Sequence, residues 1–327
     1  MAVARTHPAT RERYGLRRSS ALRRAGPGPN PPSGTAPRPY AVRMEEREQR
    51  ERLGSNDLDI EDALLDEAVG TVVTGAERLN RRWPELIVTG FFGGVDVGLG
   101  ILAMILVKEA TGSDILAGLA FGVGLLALKL AHSELFTEEF LLPLNAVIAG
   151  QGTWLQLLRL WSVSLVTNLL GGLAFGWLIV LGLPDYHRVL IDAAVGYLDQ
   201  PSLVVMIALS LLAGAVITLS TRMQQGTGED TVAAVICFVS GLLVIGFGML
   251  HGALNAIIIF AAMLAGADIS VADFLGWFAV VIPFNMLGGL LVIALPRVAR
   301  TRRILKALRT GRLSLEELER ESGEKSG

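Results

Sequence analysis

Asn168-Leu-Leu-Gly-Gly-Leu173 recurs as Asn285-Met-Leu-Gly-Gly-Leu290, 117 residues further on, and both copies lie inside long stretches almost free of charge. Self-similarity at a fixed offset is the mark of a duplicated unit. The same offset carries Glu134 onto His251, and each of these residues stands where an apolar run gives way to polar residues. A duplicated apolar unit with a polar interruption at one place in each copy is an arrangement from which membrane proteins build a transport path.

The distribution of charge narrows the fold further. Charged residues make up only 18% of the chain, and they are segregated: fifteen arginines precede Trp83, and a second basic cluster follows Pro296. Between them the chain runs nearly uncharged over lengths close to the ~20 residues that a bilayer helix needs. This predicts an all-α integral membrane protein with six spans, at about 86–107, 114–136, 155–182, 201–221, 230–250 and 274–296. Two apolar segments, about 140–150 and 253–266, are too short to cross alone and read as second halves of broken helices, after Thr137-Glu138-Glu139 and after His251. Irregular backbone at membrane depth is tolerated only where it is buried in protein or lines a wet cavity, so the breaks are expected to mark a pore. Three spans per copy is an odd number, so the second copy enters from the opposite face: an inverted 3+3 repeat with helices two and five broken.

The expected organisation is a largely disordered tail over 1–80, the six-span domain over 81–298 and a second tail over 299–327. Residues 1–43 are rich in Arg, Pro and Gly and lack the apolar core of a signal peptide. Met44 opens a more ordinary charged, helical stretch, Glu45–Asn80, and would serve equally well as an initiator. The N-cap pattern Ser314-Leu-Glu-Glu317 falls in what otherwise reads as a solvated tail over Leu313–Glu319. Arg78, Arg81 and Arg82 before span one and Arg297, Arg300, Arg302, Arg303 and Lys306 after span six assign both termini to the cytoplasm of a multi-pass inner-membrane protein. Lys108 and Arg188 are then outside, Arg159 and Arg222 inside.

Glycine clusters in the spans (Gly90, Gly93, Gly94, Gly98 and Gly100 in the first) imply helix backbones in close approach. Asn168 and Asn285 are expected to support the broken helix ends rather than to touch a permeant. His251, in an apolar setting where ionisable groups usually face cavities, is expected to relay protons or bind the permeant. Thr137 offers a hydroxyl able to donate to an anion and accept from His251. Glu134 is expected to pair with Lys129 or His132 or to bond to backbone at the break, and at least one of Glu134, Glu138 and Glu139 should be paired, protonated or at the water interface. Asp96 and Lys129 are expected to form a structural ion pair between neighbouring helices, with a charged pore lining as the alternative. The four histidines show no paired metal-ligand spacing, Cys237 stands alone, and there is no phosphate-binding glycine loop. No metal, cofactor, nucleic-acid partner or ATP-driven cycle is therefore expected, and no nucleophile–base pair suggests an enzyme.

Taken together, Glu134-Leu-Phe-Thr137, Trp161 with Asn168-Leu-Leu-Gly-Gly172, His251-Gly-Ala-Leu-Asn255 and Pro283-Phe-Asn285-Met-Leu-Gly-Gly289 resemble the formate/nitrite transporter family in order and spacing, over roughly 83–298. The resemblance implies an aquaporin-like protomer, a homopentamer in the lipid bilayer with one pore per protomer, and passage of small monovalent anions or their weak acids together with protons. It implies Thr137 on the loop that breaks span two, His251 as the central pore histidine supported by Asn255, and Leu135 and Phe136 at the apolar constrictions. The chain departs from the family at Glu138 and Glu139, where a small residue and Asn or Ser are usual; at Ala193–Leu203, which lacks a basic residue; at Ala213-Gly214, where a polar pair is usual; and at Leu250, a Glu in some members. These departures mark a divergent branch. The expected function is a channel or transporter for formate, nitrite or a similar anion, neutralised by a proton at a Thr/His site. The alternatives are a channel for water or a small polyol and a non-transporting membrane protein on the same scaffold.

Overall fold

A computed structural model describes residues 59–311, with side chains from Glu67 onward, and the described residues are all helix, turn and loop. In chain order the helices are α1 (Asp59–Asn80), α2 (Trp83–Thr111), α3 (Asp114–Leu130), α4 (Leu142–Ile148), α5 (Trp154–Gly182), α6 (His187–Leu198), α7 (Leu203–Gln225), α8 (Asp230–Gly241), α9 (Gly252–Leu264), α10 (Val271–Leu287) and α11 (Leu295–Arg309). A 3-10 turn, Phe136–Phe140, precedes α4, and π-helical segments Leu242–Gly246 and Gly288–Ala294 extend α8 and join α10 to α11.

Local chemistry sets many of the starts. Ser113, Ser202 and Ser270 accept from backbone N–H groups at the first turns of α3, α7 and α10, and Thr153 with Gln156 forms a capping box at α5. Four helices are long and apolar enough to cross a membrane: α2, α5, α7 and the continuous run Val271–Arg309. At ~1.5 Å per residue, the 29 residues of α2 or α5 reach about 44 Å, beyond the ~30 Å hydrocarbon core. Their outward faces are apolar, with Leu155 76% and Val204 75% exposed. Such a surface suits lipid or a neighbouring subunit, not water.

The helical stretch expected over Glu45–Asn80 is a helix from Asp59 on; Glu45–Leu58 and the pattern at Leu313–Glu319 lie outside the described residues. The segment left between the third and fourth expected spans holds the 12-residue helix α6. Span two ends as α-helix at Leu130 rather than near 136, and His132 then turns the chain with φ 55°. Span five changes to π geometry after Gly241 and leaves helical geometry at Phe247.

The duplicated motif is a packing device. A methyl on Gly94 of α2 would collide with the Asn168 carbonyl of α5, and one on Gly214 of α7 with the Asn285 carbonyl of α10. Likewise Gly171 admits the Phe91 carbonyl and Gly288 the Leu211 carbonyl. The pair α2/α5 and the pair α7/α10 therefore make the same backbone-to-backbone contacts. This accounts for Gly214 where the family has a polar residue: the backbone of Asn285 occupies the space.

Candidate functional site

Each asparagine of the repeated motif holds a helix break. The Asn168 side chain accepts from Phe136 N (2.8 Å) and donates to the carbonyls of Glu134 and Gly90 (2.7 Å each). The Asn285 side chain accepts from Gly252 N (2.6 Å) and donates to the carbonyls of Leu250 (2.8 Å) and Ser210 (2.7 Å). Both amides are fully buried. Backbone groups that a broken helix would orphan are thus satisfied by side chains from a neighbouring span, which is what irregular backbone inside a membrane requires.

These bonds correct the alignment of the two copies. The carbonyl held by Asn168 lies 34 residues before it, while the one held by Asn285 lies 35 before. One extra residue separates break from motif in the second copy, so the hydrogen bonding sets Leu135, not Glu134, against His251. The second half-helices, α4 from Leu142 and α9 from Gly252, follow Thr137-Glu138-Glu139 and His251 as expected, while the first halves end earlier, at Leu130 and Gly246.

The two breaks meet at Thr137 and His251. Thr137 sits in the 3-10 turn, and His251 is the N-cap of α9. Thr137 Oγ1 and His251 Nε2 are 2.9 Å apart, and both side chains have no exposed surface. His251 Nδ1 receives the Leu254 backbone N–H at 3.2 Å. An N–H can only donate, so Nδ1 carries no proton, and the neutral ring holds its proton on Nε2. Nε2–H therefore donates to Thr137 Oγ1, and the threonine's own O–H proton is left for a second acceptor. Asn255 Oδ1 accepts the His251 backbone N–H (2.5 Å), a further bond that fixes the histidine.

Apolar groups seal this centre. Leu135 has no exposed surface and belongs to the main core. Phe136 packs edge-on to Phe140 (5.1 Å between centroids), and Phe140 edge-on to Trp161 (5.8 Å). The Trp161 indole N–H donates to the Glu139 carbonyl (3.0 Å). Phe140 and Trp161 thus continue the aromatic packing begun by Phe136; Phe140, one 3-10 turn from Thr137, carries no local signal of this contact.

Two of the expected charge contacts differ. Glu134 pairs with neither Lys129 nor His132; Arg81 Nη1 stands 2.8 Å from its carboxylate, and Arg78 Nε 3.6 Å. Both arginines were legible only as flanking charge, because nothing in their spacing shows that α1 ends over the first break. Among the described residues Asp96 and Lys129 form no ion pair. Gly124 packs on the Asp96 backbone, and Lys129 is ~7.5 Å further along α3 at 1.5 Å per residue; the Asp96 carboxylate faces Ser133 instead. Glu139 is wholly buried, with Arg78 Nη1 at 4.0 Å and no hydrogen bond to either carboxylate oxygen.

Two large cavities lie between the helices. One, of about 800 Å³, lies between α1, α7 and α8 and is lined by Glu67, Thr71, Thr74 and Arg222 among others. The other, of about 790 Å³, lies between α2, α3, α6 and the second break, lined by Lys108, Asp114, Arg188, Asp192, Tyr197 and Phe247 among others. No group of His, Cys, Asp and Glu suited to a metal occurs among the described residues.

The formate/nitrite transporter family model matches residues 66–299. The chain belongs to the formate/nitrite transporter family. It is 26% identical over 242 residues to "Uncharacterized transporter YrhG" of Bacillus subtilis (strain 168), covering 70% of this chain and 89% of that protein. It is 28% identical over 231 residues to "Formate channel BtFdhC" of Bacillus thuringiensis, covering 67% and 87%. Among solved structures, an "FNT family ion channel" superposes with a TM-score of 0.66 at 19% identity, over 72% of this chain and 99% of that one. A "Pentameric formate channel with formate bound" superposes with 0.57 at 17% identity, over 66% and 96%. This member of the formate/nitrite transporter family is accordingly a multi-pass, all-helical membrane protein.

Proposed function

We propose that this protein is a channel or carrier for small monovalent anions such as formate or nitrite, which cross its centre as the neutral acid. The observation that carries this reading is the sealed Thr137–His251 hydrogen bond. A bare anion in a water-free apolar constriction meets a desolvation penalty of tens of kcal/mol before relaxation, whereas a protonated acid meets little of it. Thr137 O–H is oriented as a donor because its oxygen already accepts from His251 Nε2–H. It would receive an anionic oxygen, and hydrogen-bonded water at the mouth would then supply the proton. His251 acts in this scheme as a neutral, cap-locked donor. An imidazolium would set a second N–H against the Leu254 N–H and cost the cap of α9.

The resemblance to a pentameric formate channel and the apolar outer girdle support a homopentamer with one path per protomer. Residues 81–298 would form the transport unit. α1 and α11 pack together through Val72, Leu305 and Leu308. Both described ends therefore lie on one face, and their flanking arginines support placing that face in the cytoplasm of the inner membrane. On this orientation the α6 cavity opens outside and the α1 cavity inside.

The test is stopped-flow uptake by proteoliposomes of a panel of small acids and anions, with water and a polyol as controls, across a pH series. Flux of formate or nitrite that rises as pH falls, and that Thr137→Ala abolishes, is expected. Polyol flux without anion flux would refute the reading.

A further inference from the structure

Resting on the transport reading, we propose that Tyr197 is the specificity-determining residue on the α6 side: its ring closes the floor of that cavity, and its hydroxyl with Asn255 Nδ2 receives a small carboxylate before it reaches Thr137. Tyr197 lies on α6, which packs against α9, the helix that carries Asn255. It lines the 790 Å³ cavity yet is only 7% exposed, so its ring forms the wall between that space and the centre.

The hydroxyl lies against the Asn255 side chain. Asn255 Oδ1 is committed to the His251 backbone N–H, which fixes the orientation of the amide. Its Nδ2 is fully buried, makes no hydrogen bond of standard geometry, and has the Tyr197 hydroxyl as its neighbour. A buried donor this weakly satisfied, beside a hydroxyl and on the residue that accepts the central histidine's backbone N–H, is an acceptor's place. The fixed charges of the cavity do not compete for that role. Lys108 pairs with Asp114 at 2.6 Å, Arg188 faces Asp192 at 3.7 Å, and Glu109 is added to the acidic side. With cations outnumbered, the cavity does not draw anions by net charge, and recognition falls to neutral donors at its floor. The absence of a basic residue over Ala193–Leu203 is then compensated by a phenol.

The experiment compares wild type, Tyr197→Phe and Tyr197→Ala in proteoliposomes, measuring formate and lactate uptake against concentration at one pH, with size-exclusion profiles confirming assembly. Tyr197→Phe keeps the ring and is expected to raise KM for formate several-fold with little change in maximal rate. Tyr197→Ala is expected to raise the lactate-to-formate rate ratio several-fold. If Tyr197→Phe assembles and shows the wild-type KM, the donor role is overturned. An unchanged ratio in Tyr197→Ala overturns the size limit, and Tyr197→Phe decides alone if the alanine variant does not assemble. A wild type that passes neither anion above empty vesicles would instead sink the transport reading itself.

Discussion

Replacing Asn285 tests whether the repeated motif is the strut of the second break. The alanine variant loses three hydrogen bonds, at 2.6, 2.7 and 2.8 Å. Interhelical bonds inside membranes average ~0.6 kcal/mol each, which makes about 2 kcal/mol for the set. The Gly252 N–H would also be left buried without an acceptor, adding roughly 1–3 kcal/mol. The expected total is about 3–5 kcal/mol. Asn285→Asp is the sharper perturbation because it is nearly isosteric. One oxygen still accepts from Gly252 N, but the other turns a negative charge toward the carbonyls of Ser210 and Leu250. It should therefore destabilise at least as much as alanine at neutral pH. On acidification it should recover in part, since a protonated carboxyl regains one O–H donor; wild type should show no such gain from this position. Detergent-solubilised variants are unfolded by heat or by SDS titration, and the folded fraction is followed by size exclusion. An Asn285→Asp protein that unfolds with wild type at pH 7 would refute the strut argument, because a buried carboxylate facing two carbonyls cannot be neutral in effect.

Thr137→Val should keep the fold and lower formate flux at least tenfold in the vesicle assay; retention of wild-type flux would show that the hydroxyl is not used. Glu134→Gln breaks the close pair with Arg81 and should loosen α1, seen as faster proteolysis near Arg78. Glu139→Gln should leave stability unchanged or raised, since its carboxylate makes no hydrogen bond; equal losses in the two would contradict this assignment of partners. Gly94→Ala forces α2 off the Asn168 carbonyl and should abolish assembly, whereas Gly182→Ala, with nothing within 4 Å, should be silent in yield and thermal stability.

The span pattern was legible because burial in lipid imposes a length and a charge-free composition on each helix, and both are local properties. The duplicated Asn-Leu/Met-Leu-Gly-Gly-Leu was legible for a related reason: two glycines and an amide at fixed spacing are what a helix needs to meet a backbone and hold it. Sequence alone also brought Thr137 and His251 forward as chemically exceptional residues. It could not give the pairing of Glu134 with Arg81 and Arg78, the separation of Asp96 from Lys129, or the helix α6 that brings Tyr197 over Asn255. Nor could the 117-residue offset show that one extra residue in the second copy rotates the equivalence from Glu134 to Leu135. Each of these depends on which groups face one another across helices far apart in the chain. The tautomer of His251 is the clearest case: the hydrogen-bond geometry of a helix cap chose it, and no spacing of residues along the chain encodes that choice.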